Sequence, residues 1–371
     1  MKLRVLLFGL LFPTILPGAI ASAWAREPLG LPPLPVPADN AQTPAKIDLG
    51  RKLFFDRRLS FNGTMSCAMC HVPEQGFTSN ELATPLGMEG RSTRRNAPTL
   101  YNVAYHPRLF QDGRERDLEL QVWGPLLAPN EMGNPSIGHV VDTIASLADY
   151  RSRFEATFQG RRASPETIGR ALAAFQRTLV SGGSRFDAWR YGGRKNALTA
   201  QEQEGLRLFA GKAGCTACHV IGERSALFSD FGYHNTGVGW MRSQGRARVP
   251  VTLGPGLRTE LTETEIASFG EPPAADLGRF EITGNPQDRW AYKTPSLRNV
   301  ALTAPYMHDG SLATLEAVVE YYDAGGAGAP DQSPLVRPLQ LTSAEKYALV
   351  AFLRALTGDN VSRLAKLAAP R

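Results

Sequence analysis

The sequence predicts a mainly α-helical chain built as two similar units with long loops between their helices. Three observations point there. A composite string occurs twice: Gly50-Arg51-Lys52-Leu53-Phe54 stands before Cys67-Ala68-Met69-Cys70-His71, and Gly205-Leu206-Arg207-Leu208-Phe209 stands before Cys215-Thr216-Ala217-Cys218-His219. Both copies read G-x-x-L-F and then C-x-x-C-H, and such self-similarity implies duplication with divergence. Apolar residues recur at helical spacing behind capping residues, while strand-like alternation is confined to short pairs near residue 250. The 36 Gly and 27 Pro among 371 residues favour long connections.

In chain order, residues 1–25 read as a secretory leader. Lys2 and Arg4 give a charged start, 6–20 an apolar run, and Ala23-Trp24-Ala25 a small-x-small cleavage site. The run is short and broken by Pro13 and Pro17, which favours cleavage over a membrane anchor. The mature protein is therefore expected in the periplasm, without an anchor. The Pro-rich stretch 31–37 reads as an extended lead-in. The first unit is expected at 26–190 and the second at 191–371, with the boundary near 185–200. In the first, Ser164-Pro165 caps a helix that places Ile168, Leu172, Phe175 and Leu179 on one face and ends at Ser181-Gly182-Gly183. In the second, Thr199 and Glu202 form a capping box. A further helix is expected over 312–322, stopping at Gly325-Gly326. The last is capped by Thr342 and Glu345 and carries Leu349, Phe352, Leu353 and Leu356 before Gly358. With 43% hydrophobic residues a packed core is available. The net charge is +6, of which Lys2 and Arg4 belong to the leader. What remains is too weak and dispersed for nucleic acid, though it can assist docking of an acidic protein.

The chain has four Cys, and the two C-x-x-C-H motifs use all of them. Two thiols one helical turn apart can add to the two vinyl groups of one porphyrin, and the adjacent His can then coordinate the iron. Structural disulfides would need no His after each second Cys. A Cys₄ zinc site would bring its halves to within about 15–20 residues of each other. The reading is two covalent haems c, on Cys67 and Cys70 and on Cys215 and Cys218, with His71 and His219 as proximal ligands. A helix, a turn and the haem motif form the layout of a small cytochrome c domain, so the fold class is mainly α with two cytochrome c-like haem domains and long loops.

Other strings carry a resemblance. They are Arg95-Asn96-Ala97-Pro98-Thr99, Asp112-Gly113-Arg114, Gly124-Pro125-Leu126 followed by Glu131-Met132, 231–237, and the run from Thr294 to Tyr306 that includes Pro295-Ser296-Leu297-Arg298-Asn299. Through them nearly all of the expected mature chain resembles the bacterial di-haem cytochrome c peroxidases, and within these the MauG-like branch. The resemblance implies that the first haem binds hydrogen peroxide. It implies Glu131 as the acid–base group for peroxide cleavage, with Gln121 and Pro125 lining the distal side. Many members cap the first iron with a His from the loop after the motif. No His occurs over 72–95 here, which implies an accessible iron; Met88 is the alternative cap.

For the second iron the resemblance places a Met of the peroxidases at the position of Tyr322. A phenolate favours ferric iron where a thioether favours ferrous. Met307, His308 and Tyr321 are rivals. The Trp that lies between the haems in the family is Gln111 here, an amide that cannot be oxidised as a relay. The resemblance also implies a Ca²⁺ held by the Asn96 side chain and the carbonyls of Thr303 and Pro305. His234 and His308 are given supporting roles, and His106 and His139 read as loop or surface residues. The function implied is a periplasmic di-haem peroxidase. It passes oxidising equivalents through a His/Tyr haem to a protein donor such as a small cytochrome c or cupredoxin, or to a protein substrate. The alternatives are a peroxide-detoxifying cytochrome c peroxidase and a di-haem electron carrier without substrate chemistry.

Overall fold

The computed structural model describes residues 28–244, 248–254, 257–262, 265 and 276–368. The expected leader, 1–25, lies outside the described residues. The fold is mainly α-helical, with one hairpin pairing Arg248–Gly254 with Leu257–Thr262 and a two-residue pair joining Tyr233–His234 to Tyr292–Lys293.

The repeated G-x-x-L-F string explains how each half packs. Thr43 caps the helix Pro44–Phe55 by accepting the Lys46 N–H. On that helix Leu53 and Phe54 are buried, and the helix lies against Pro165–Gln176. The two come so close at Gly50 that a Cβ there would stand 1.9 Å from the Ala171 carbonyl oxygen. The second half repeats the device. The helix Ala200–Ala210 lies against Ser343–Arg354, and a Cβ on Gly205 would stand 2.0 Å from the Ala348 oxygen. Capping boxes at Ser164/Thr167, Thr199/Glu202 and Thr342/Glu345 fix three of these helix starts.

Two large hydrophobic cores result among the described residues, beside a small cluster of Leu109, Leu118 and Ala173. One draws on residues between Leu49 and Leu179, the other on residues between Phe186 and Leu356. Both ends of the described residues cross over. The helix Val361–Ala368 buries Leu364 and Ala368 in the first core. Near the N-terminus, the Gly30 carbonyl accepts the Ala226 N–H in the second half. Two helices are shorter than their patterns suggest. Pro165–Gln176 ends before Leu179, which is buried from an extended segment. Leu315–Asp323 starts later than 312, because Thr314 takes the cap and Leu312 pairs with Tyr306.

A second internal repeat emerges at the joint between the halves. Ala97-Pro98-Thr99-Leu100-Tyr101-Asn102-Val103 matches Thr294-Pro295-Ser296-Leu297-Arg298-Asn299-Val300, and Asp112-Gly113 matches Asp309-Gly310 at the same offset. Asn102 and Asn299 both adopt φ 62° and each opens a 3₁₀ turn. The halves then exchange equivalent bonds. The Lys293 N–H donates to the Gln111 carbonyl at 2.7 Å, and the Asn96 N–H donates to the His308 carbonyl at 2.7 Å. Arg95 locks the joint through Asp112 (2.6 Å) and Asp276 (2.6 and 2.8 Å).

Candidate di-haem centre

Each C-x-x-C-H string closes one helical turn. The His71 N–H donates to the Cys67 carbonyl at 3.0 Å, and the His219 N–H to the Cys215 carbonyl at 2.9 Å. Both imidazoles are oriented alike. Nδ1 of His71 lies 3.0 Å from the Phe77 carbonyl, and Nδ1 of His219 lies 2.9 Å from the Phe228 carbonyl. A carbonyl can only accept, so Nδ1 carries the hydrogen and Nε2 keeps its lone pair. Burial pulls both pKa values down. A neutral ring with a committed Nδ1 is the form that binds iron. All four cysteines are free thiols in the structure. Burial raises Cys67 and Cys215 to about 12 and Cys70 to about 11. These sulfurs stand where haem attachment would leave thioethers. Two thiols one turn apart beside such a His fit covalent haem in both halves.

Unlike side chains are brought beside the two motifs. At the first, Glu131 is half-buried, and its charge, after burial, helps raise the Cys70 and Cys67 thiols. Burial in turn raises the Glu131 pKa, against the pull of the Arg114 guanidinium. The Met132 N–H donates to the Pro125 carbonyl at 3.1 Å, which folds the Glu131 loop back on the helix Trp123–Leu127. Gln121 ends the preceding turn, Leu118–Gln121, and is half-buried like Pro125. The Met88 N–H donates to the Glu131 carbonyl at 2.8 Å, while its side chain is buried in the first core against Gly133.

At the second motif, Tyr322 is half-buried on Leu315–Asp323. Burial raises its phenol pKa, and the Cys215 and Cys218 sulfurs add to the rise. Its neighbour Tyr321 is committed elsewhere, donating to the Thr236 carbonyl at 2.8 Å. His308 is buried and stacked on Tyr292 with ring centroids 3.6 Å apart. Met307 sits at φ 71° in the turn before it. His234 Nε2 meets Asp230 at 2.9 Å, and the pair lies within 4.8 Å of the Cys218 sulfur. The Cys218 contact, with Asp230, raises His234 to about 9. Those three residues resemble a metal site, but haem attachment would alkylate Cys218 and leave only the Asp230–His234 pair.

Between the halves, Gln111 Nε2 donates to the Asn96 carbonyl at 3.0 Å, and Gln111 Oε1 is buried without a hydrogen-bond partner. His106, expected as a loop or surface residue, is half-buried and lies 3.2 Å from Lys293 Nζ across the joint. The Asn96 Nδ2 donates to the Ala83 carbonyl at 2.9 Å, which fixes its amide. The Asn96 N–H donates to the His308 carbonyl, which brings its backbone beside the end of the 303–308 stretch. The Thr303 and Pro305 carbonyls accept no hydrogen bond among the described residues. Uncommitted neutral oxygens fit a calcium ion. The sequence did not flag Phe77 and Phe228, which act through their carbonyls. Their signal is weak: each follows its motif at a different distance.

A model of the di-haem cytochrome c peroxidase family matches residues 44–196. Cytochrome-c peroxidase IdrP1 of Denitromonas iodatirespirans is 39% identical over 335 residues, spanning 89% of this chain and 86% of that protein. The methylamine utilization protein MauG of Methylorubrum extorquens is 36% identical over 331 residues, spanning 88% and 82%. The crystal structure of a MauG-like protein associated with microbial copper homeostasis superposes with a TM-score of 0.71 at 35% identity, covering 90% of this chain and 95% of that one. Matches that cover 88–90% of the chain extend well past the two haem strings, and they make the chain a member of the bacterial di-haem cytochrome c peroxidase/MauG-like family.

Proposed function

We propose that the chain is an exported, periplasmic di-haem peroxidase of MauG-like type. It reacts with hydrogen peroxide at the haem on His71. Oxidising equivalents leave through a His219/Tyr322 haem to a partner protein, either a small cytochrome c or cupredoxin or a protein whose side chains are oxidised. The observation that carries this reading is the inequality of two otherwise matched motifs. A half-buried carboxyl, Glu131, stands beside the first, and a half-buried phenol, Tyr322, beside the second. An electron carrier has no use for the carboxyl.

Haem iron, when bound, supplies the electrons that break the peroxide O–O bond. The protein supplies the proton traffic. Glu131 takes the proton from the nearer peroxide oxygen and returns it to the farther one, which leaves as water. A carboxyl with its pKa raised by burial is a stronger base than an exposed one and lies closer to the pH at which it must both take up and give back that proton. Gln121 offers an amide to orient peroxide, and Pro125 keeps the wall apolar. Tyr322 is a neutral phenol in a buried site; a ferric iron there would displace its proton and leave a hard anionic ligand. Each core carries one haem, the first within 26–190 and the second within 191–371. Asn96, Thr303 and Pro305 hold Ca²⁺ at the joint. Among the described residues no helix is long and apolar enough to cross a membrane.

The test is a spectrum of the purified protein before and after stoichiometric peroxide, with and without reduced cytochrome c. One high-spin haem that peroxide perturbs, beside one low-spin haem, supports the proposal. Two low-spin haems indifferent to peroxide refute it.

A further inference from the structure

We infer that the segment 28–31 is a working part of the second haem site, where Gly30 and Arg298 together set the carbonyl that orients His219. The inference rests on the reading above that His219 holds a haem iron. Arg298 is almost fully buried and paired with Asp187 at 2.8 and 2.9 Å. Its Nη2 donates to the Gly30 carbonyl at 2.5 Å, and its Nε donates to the Ala226 carbonyl at 2.6 Å. The Gly30 carbonyl also accepts the Ala226 N–H at 3.0 Å. Ala226 is therefore gripped at both its N–H and its C=O. Two residues on, the Phe228 carbonyl receives the His219 Nδ1 hydrogen at 2.9 Å. Only glycine fits at position 30: its φ is +87°, and a Cβ would lie 1.9 Å from Asp187 Oδ1.

The first motif is supported elsewhere: the turn Pro73–Gln75 in its loop packs against the helix Val361–Ala368 and not against the segment 28–31. Its loop from His71 to Phe77 spans 6 positions, against 9 from His219 to Phe228. Within the first half, the Phe77 N–H donates to the Val72 carbonyl at 2.9 Å, and Thr99 Oγ1 donates to the Gly76 carbonyl at 2.6 Å. The longer second loop takes its support from the segment 28–31. That support has an electronic consequence. An Nδ1–H bound to a carbonyl makes the imidazole more basic, which stabilises ferric over ferrous iron. Releasing the segment loosens Phe228, weakens that bond and raises the reduction potential of the second haem alone.

The experiment is a spectroelectrochemical titration of both haems in the full-length holoprotein. Gly30→Val displaces the segment, the new Cβ meeting Asp187 Oδ1 at 1.9 Å and Arg298 Nη2 at 2.9 Å. Arg298→Lys keeps a cation for Asp187 but loses the fork that spans Gly30 and Ala226, and it carries the same test if Gly30→Val does not accumulate. Gly63→Val is the control, a glycine at φ +70° in the first half with nothing within 4 Å of its Cβ. Both test variants are expected to raise the second potential and leave the first in place. A tenfold change in the ferric-to-ferrous balance reads as about 59 mV for one electron. An unmoved second potential, or equal shifts at both haems, overturns the inference. If the unsubstituted protein carries no haem on His219, the functional reading itself has failed, which the starting spectrum reveals before any variant is made.

Discussion

Gly50→Ala tests the packing that sets up the first haem unit, and it tests it by sign. In an exposed helix interior, Gly→Ala stabilises by about 1 kcal/mol, because alanine loses less backbone entropy on folding. Here the new Cβ would stand 1.9 Å from the Ala171 oxygen and 3.0 Å from the Phe175 Cβ. Ordinary contact begins near 3.4 Å, so Pro44–Phe55 must retreat from Pro165–Gln176 by about 1.5 Å, the difference between those two distances. That opens space around Leu53 and Phe54, which are 0% and 2% exposed. Overpacking of this kind costs about 1–3 kcal/mol. With a urea slope of about 1–3 kcal/mol/M, the midpoint falls by roughly 1 M. Urea unfolding of the holoprotein, followed at the haem bands, measures it. Cys67 and Cys70 pack against the same core, so the first haem should respond before the second. Gly205→Ala should invert that order, since its Cβ meets the Ala348 oxygen at 2.0 Å. A gain in stability at either site would refute the close-contact account of the G-x-x-L-F string.

Glu131→Gln should retain both haems and slow peroxide cleavage by about 10²-fold or more; an unchanged stopped-flow rate removes Glu131 from the site. Because burial raises the Glu131 pKa and Arg114 opposes it, the acid limb of the peroxide rate should lie above the usual carboxylate range. Arg114→Gln should move that limb to still higher pH, and a limb that moves down would contradict the assignment. Tyr322→Phe should change the low-spin spectrum of one haem, and an identical spectrum excludes the phenol as ligand. At the joint, burial alone would raise the Asp276 pKa, but the Arg95 bonds outweigh it and hold the carboxyl below its usual range. The stability from this pair is therefore complete above the ordinary Asp pKa and lost as pH falls through the depressed one. Asp276→Asn leaves Arg95 with Asp112 alone and should cost about 3 kcal/mol near neutral pH. A denaturation midpoint equal to the parent's would show that Arg95 was already satisfied.

What could be read from the sequence was local. Thr199 with Glu202, Thr342 with Glu345 and Ser164 with Pro165 each start the helix they were expected to start, because a cap is settled within four residues. Helix ends were read less well, since tertiary contacts decide them. The run through Leu179 has helical spacing, yet the chain leaves the helix at Gln176 so that the Leu179 carbonyl can accept the Asn102 N–H at 2.8 Å. The crossing of both ends of the described residues carries no local signature at all. Nor does the Arg95 cluster, whose partners come from residues as distant as 112 and 276. Within the candidate site, the cysteines and histidines were legible because covalent chemistry demands them at fixed spacing. The carbonyls that orient His71 and His219 were not, because a backbone oxygen leaves no mark on residue identity.

The duplicated frame also separates scaffold from chemistry. Where the two copies agree, the residues do structural work. Asn102 bonds both the N–H and the carbonyl of Ser181, and its counterpart Asn299 accepts the Gly358 N–H. Both need the left-handed conformation that Asn tolerates. Where the copies differ, a symmetric explanation fails. Gln111 and His308 occupy equivalent positions, and their backbones make equivalent bonds across the joint. Their side chains share only one property: each buries a polar atom, Gln111 Oε1 and His308 Nε2, that has no hydrogen-bond partner. Leaving such an atom unpaired costs about 1–3 kcal/mol. Packing alone would replace both residues with apolar ones of similar size. Both side chains lie at the joint closed by Arg95, Asp112 and Asp276, where the two halves meet. Gln111→Leu removes the unpaired Oε1 together with the Nε2 bond to the Asn96 carbonyl, so its effect on stability should be small, and it should alter the rate at which the second haem responds after peroxide reaches the first. If stopped-flow traces at the low-spin band superimpose on those of the parent, Gln111 is a spectator at the joint.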